Sequence, residues 1–132
     1  MSLDVSPQLL AEAENGPVRE EDFVETVRTS LPYAYRLVAH LAAELRDGDG
    51  SREFADNQTP PPSERERGQL LRALSSDAIR SSLERHFGVV LAFQNCHRVA
   101  VFPPQARGGE THSRFTSARS QILNQSPEFR DC

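Results

Sequence analysis

Apolar residues recur every three or four positions from Phe23 through Val27, Leu31, Ala34, Val38, Leu41 and Leu45. This spacing lays one continuous stripe along a helix and predicts helix from Glu20 to Arg46. Glu20, Glu21 and Asp22 stand where the helix dipole is positive, and Arg46 where it is negative. Pro32 falls inside the pattern and removes a backbone donor. A straight helix of this length would run ~40 Å, longer than the ~36 Å diameter of a chain this size. A break at Ser30-Leu31-Pro32 is therefore expected, with Ser30 capping the second half.

Before this stripe, Ser6-Pro7 to Asn15-Gly16-Pro17 reads as a two-turn helix with Ser6 as N-cap and Gly16 as a left-handed stop. It is too short to hold its shape unless docked. After the stripe comes a Gly-, Asp- and Pro-rich loop over 47–62, in which Phe54 is expected to be pinned to the core. Pro60-Pro61-Pro62 makes a stiff spacer of ~9 Å. Ser63-Glu64-Arg65-Glu66 is a capping box. It opens a second long helix with Leu70, Leu71, Leu74, Ala78, Ile79 and Leu83 on its apolar face, ended by Phe87-Gly88.

The period then changes. Val89 to Phe93 and Arg98 to Phe102 are β-branched and aromatic runs flanking Gln94-Asn95-Cys96-His97, which predicts a β-hairpin over about 89–102. Pro103-Pro104 stops the second strand. A last helix is expected over Ser117 to Gln125 with Phe115, Ala118 and Ile122 inward, followed by an irregular tail over 126–132. The expected fold class is α+β, mainly helical, in one domain over 1–132: a kinked long helix, a second long helix, one hairpin and short terminal helices. A lone hairpin is marginal in water, and Val89-Val90-Leu91 is apolar on both faces. Either helices cover both faces, or the hairpin joins a second copy of itself.

Composition narrows the chemistry. Leu, Ile, Val and Phe make up about 23% of the 132 residues and the net charge is −4, a balance that folds rather than staying disordered. All 15 basic residues are Arg. With no Lys, neither Schiff-base catalysis nor a P-loop is available. The scarcity of Lys, Ile and Asn fits a high-GC coding sequence. No stretch approaches the ~20 apolar residues of a membrane span, and MSLDVSPQLLAEAENG has neither the basic start nor the apolar run of a secretory signal. A cytoplasmic location is expected, and two cysteines agree with it.

Charge is unevenly placed. Residues 1–25 carry seven acids and one Arg, a balance of −6. Residues 98–119 carry Arg98, Arg107, Arg114 and Arg119 against Glu110, a balance of +3. These four arginines are the candidate binding residues for phosphate or nucleic acid, although the overall charge opposes general nucleic-acid affinity.

The densest polar run is Gln94-Asn95-Cys96-His97-Arg98. Cys96 and His97 are the candidates for a catalytic or redox thiol, since a neighbouring imidazole and guanidinium can depress a thiol pKa. Adjacent residues of a strand point to opposite faces, however, and no third orienting residue accompanies them. Cys96, His97, His86, His112 and Cys132 lack the spacing of a zinc site. No metal and no cofactor is expected. NQTP at 57–60 and NQSP at 124–127 echo each other without making a repeat.

The segments FGVVLAFQNCHRVAVFPP and ILNQSPEFRDC resemble those of uncharacterised small cytoplasmic proteins of high-GC Gram-positive, actinobacterial bacteria. That resemblance brings no activity, cofactor or site with it. The reading from sequence favours a non-enzymatic protein–protein interaction or regulatory protein, homodimeric through its hairpin or bound to a protein partner, with no membrane and no nucleic acid as general partner. The alternatives are a thiol-dependent enzyme or redox sensor at Cys96, and phosphate or nucleic-acid binding through the arginines.

Overall fold

In the computed structural model, which describes residues 2–48, 50, 52–95 and 97–124, the long apolar stripe forms two helices. They are α2 (Glu20–Ser30) and α3 (Pro32–Asp47), preceded by the short α1 (Pro7–Asn15). Leu31 leaves helical geometry at φ −127° and ψ 62°, and Pro32 is the first residue of α3. The break falls where the sequence places it, but the cap differs. Ser30 Oγ accepts from the Asp4 N–H at 2.8 Å. The free N–H groups of α3 go instead to Gln69, whose Oε1 accepts from Tyr33 N at 2.7 Å and Ala34 N at 3.4 Å. A side chain distant in sequence caps the helix.

Gln69 belongs to α4 (Glu64–Ser75), which starts at its predicted capping box: Ser63 Oγ bonds the Glu66 carboxylate and accepts from Glu66 N. The second long helix, expected to be continuous, is also two. Ser76 is extended and its Oγ accepts from Ile79 N at 3.3 Å, opening α5 (Asp77–Phe87). The turn moves the apolar stripe. Leu70, Ala73 and Leu74 are buried before it and Ile79 and Leu83 after it, while Leu71 and Ala78 are exposed. Gly88 ends α5 in the left-handed region at φ 67°, where glycine has no Cβ to strain. Gly16 after α1 also has a positive φ that favours glycine, 155°, but its ψ of −162° is extended rather than left-handed helical.

The hairpin is present as β2 (Val90–Asn95) and β3 (Arg98–Phe102), with Val90 opposite Phe102 and Ala92 opposite Ala100. The sequence reading missed a third strand. β1 (Ala55–Asp56) lies within the loop and pairs antiparallel with β3, giving the order β1-β3-β2. Strand alternation sends Val89, Leu91, Val99 and Val101 to one face, against α2 through α5. Val90, Ala92, Ala100 and Phe102 go to the other, under Phe54, Ala106 and Phe115. Phe54 stacks on Phe102 with ring centroids 5.0 Å apart, so it is pinned as expected. Both apolar faces are thus covered within one chain.

After a 3-10 turn (Pro104–Ala106) come α6 (Glu110–Phe115) and α7 (Ala118–Leu123). Phe115 points inward, but Ala118 and Ile122 do not: both are exposed. The stretch 126–132 lies outside the described residues. Among those described, no helix is long and apolar enough to cross a membrane.

Candidate functional site

The turn end of the hairpin is a junction of four chain segments held by amide side chains. Asn57 extends the pairing of β1 with its side chain: Nδ2 donates to His97 O at 2.6 Å and Oδ1 accepts from Val99 N at 2.9 Å. On the far side, buried Gln94 donates through Nε2 to Phe115 O at 3.0 Å and to Ser120 Oγ at 2.7 Å. Gln94 Oε1 accepts from Asn124 Nδ2 at 2.6 Å. The two asparagines of the echoed NQTP and NQSP sequences therefore brace the hairpin from opposite sides.

Asp56 holds Arg98, whose Nε and Nη2 both donate to Oδ2 at 2.9 and 2.5 Å. The guanidinium also lies 5.5 Å from the centre of the Phe115 ring, within range for a cation–π contact. Gln94 fixes α7 against β2, and this carries Arg119 towards Arg98 and Arg114. Those three arginines line one depression of about 280 Å³, with Ser117, Ser120, Leu123 and Asn124 and no carboxylate. Arg114 bonds Glu110 at 3.1 Å, while Arg119 makes no ion pair among the described residues.

The fourth candidate, Arg107, is elsewhere. Its Nη2 bonds Glu84 Oε2 at 3.2 Å, and that same oxygen accepts from Leu91 N at 2.8 Å. Glu84 thus satisfies an N–H on the outer edge of β2 and holds Arg107 at the end of the sheet opposite the hairpin turn. Three of the four predicted arginines converge; Arg107 does not.

His97 is buried, with 7% of its surface exposed. Burial, and secondarily the charge of Arg67, push its pKa below the ordinary 6.5, favouring the neutral ring. Its partner in the thiol reading, Cys96, lies outside the described residues, as does Cys132. The other histidines serve local contacts. His86 Nε2 sits 3.3 Å from the Tyr35 hydroxyl, His112 Nδ1 accepts from Gly108 N at 3.1 Å, and His40 pairs with Glu44 at 3.1 Å.

Two features escaped the sequence reading. Asp56 and Asn57 sit in a segment that looks like linker, and only the pairing with β3 gives them their place. The apolar face of α7 is exposed where the sequence predicts Ala118 and Ile122 inward, because a six-residue helix is too short for its period to fix its orientation.

No curated protein and no solved structure matches the chain. A family model matches it from residue 1 to residue 132, and on that match the chain belongs to the family labelled KH NucS shadow and described as NucS shadow ORF.

Proposed function

We propose that this chain is a non-enzymatic interaction protein that works through contact with a second copy of itself or with another protein. The observation that supports this best is α1. None of its nine residues is buried, and an isolated helix of that length is marginal in water. A helix with a well-formed start, Ser6 Oγ accepting from Leu9 N at 3.1 Å, and no buried face is suited to burying that face against a partner. The hairpin offers less as a dimer surface, since its own chain covers both faces. The polar groups at its turn also hold segments together rather than facing a substrate. The family description names an open reading frame and NucS, and assigns no activity. Sedimentation velocity over ~1–100 µM, the range that reports modest affinities, should show mass rising with concentration. A strict monomer that also retains no partner in a pull-down would count against the reading.

A second reading is binding of phosphate or nucleic acid. It is favoured by the convergence of Arg98, Arg114 and Arg119 and by the KH in the family label. A KH module clamps nucleic-acid backbone with a Gly-X-X-Gly loop. This chain has no such sequence, its glycines being 16, 48, 50, 68, 88, 108 and 109, and its net charge is −4. Affinity for a labelled oligonucleotide that falls steeply with salt would favour this reading over the first.

A further inference from the structure

We propose that α1 of one copy docks on α7 and the adjoining arginines of a second copy, the contact being made twice about a twofold axis. The proposal rests on the self-association reading above and names its surface.

The two helices carry the same stripe with opposite charge. On α1, Leu10, Ala13 and Glu14 are all exposed, Leu10 by 52%; their spacing of i, i+3 and i+4 puts them on one side. On α7, Arg119, Ile122 and Leu123 have the same spacing and are exposed, Ile122 by 72% and Leu123 by 65%. One stripe is apolar with an acid, the other apolar with a base. Arg98 and Arg114 border the second stripe but are paired with Asp56 and Glu110, so Arg119 is the base left to meet Glu14. Opposite potentials of this kind set register and exclude wrong partners.

Within one copy α1 has a poor neighbour. It runs back beside α2, and Asp4 and Glu12 share a depression with Asp22 and Glu25. Asp22 and Glu25 are taken up by Arg19 and Arg28, and no ion pair among the described residues joins Glu12 to α2. Nor does any ion pair among the described residues join Glu12 or Glu14 to the arginines of the hairpin end. In a twofold dimer the free side of each α1, opposite the one that faces α2, meets the basic surface of its partner. Such an interface is self-complementary: one copy's α1 meets the other's α7, and the reverse. One short helix contact is small, and the symmetry doubles it.

The full chain is tested by sedimentation equilibrium in low and moderate salt. One variant reverses the acid of the stripe, Glu14→Arg; another reverses its base, Arg119→Glu. Both positions are exposed, and far-UV circular dichroism checks that each variant folds. The wild type should dimerise more weakly as salt rises. Each variant alone should show a dimer Kd raised at least ~10-fold. An equimolar mixture of the two should dimerise again, because both contacts of the mixed dimer pair opposite charges. A wild-type dimer indifferent to either reversal, or a mixture that stays monomeric, overturns the proposal and leaves self-association standing. A wild type that is monomeric throughout overturns both. Should a reversal variant unfold, Glu14→Gln and Arg119→Gln replace it, with a smaller rise in Kd expected from each.

Discussion

His97 shows how much one residue's meaning depends on its surroundings. In the sequence it stands beside a cysteine and an arginine and reads as half of a reactive pair. In the structure its ring is buried, Asn57 bonds its carbonyl, and Asn95 Oδ1 accepts from its N–H at 2.9 Å. Its pKa lies below 6.5 in the folded chain, first because burial disfavours the charged ring and then because Arg67 repels it. The unfolded chain therefore takes up this proton at higher pH than the folded one. The contribution of His97 to stability is complete above the unfolded value and is lost as pH falls from about 6.5 towards the folded value. Glu20, held down chiefly by its hydrogen bond to Arg85, and Glu25, held down chiefly by Arg28, lose their contributions only below the ordinary carboxylate value of 4.5, a separate window. Urea unfolding midpoints should accordingly fall between pH 7.5 and pH 5.5, and His97→Gln should flatten that part of the profile. An unchanged slope in the variant would place the titration on another group.

At the scale of elements, what could be read in advance was whatever neighbouring residues determine. The break at Leu31-Pro32, the capping box at Ser63, the glycine stop at Gly88 and the hairpin all follow from local chemistry. The break at Ser76 was also written locally, as a Ser-Asp helix start, but a stripe running on through Ala78 concealed it. β1 could not be read, because two residues, Ala55 and Asp56, carry no period. They are a strand only because β3 lies alongside and the Asn57 side chain continues the ladder. The cap of α3 was equally hidden, since its acceptor is 36 positions away in sequence. That cap has a measurable weight. Gln69→Ala would leave two buried or half-buried N–H groups without their acceptor, and an unsatisfied buried donor costs about 1–3 kcal/mol. Urea denaturation should show a loss of that size. Leu71→Ala, at an exposed position on the same helix, should change stability by no more than ~0.5 kcal/mol. Equal losses at the two positions would show that Gln69 contributes packing and no cap.

Across the whole molecule, stability is distributed from the middle outwards. Val27, Leu31, Val38, Leu70, Leu83, Val99 and Val101 form one core between the sheet and α2 through α5. A smaller aromatic cluster of Phe54, Phe102 and Phe115 closes the opposite face. The candidate surfaces lie at the margins of both: α1 has no fully buried residue, and α7 hangs on Gln94, Ser120 and Asn124. The same uneven design explains why the core was legible in the sequence and the site was not. Core positions repeat with the period of their element, whereas Arg98, Arg114 and Arg119 meet only after three separate segments are packed. Regions with little buried surface open without global unfolding, so amide exchange should map this gradient. In dilute, monomeric protein the α1 amides should exchange fastest, α7 should follow, and α3 and β3 should exchange only through global opening. Raising the concentration until the chain self-associates should slow exchange in α1 and α7 together and leave α3 and β3 unchanged. Protection appearing along the outer edge of β2 instead would return the dimer contact to the hairpin. Protection of α1 equal to that of α3 in the monomer would mean that α1 needs no partner, and the motive for placing the interface there would be gone.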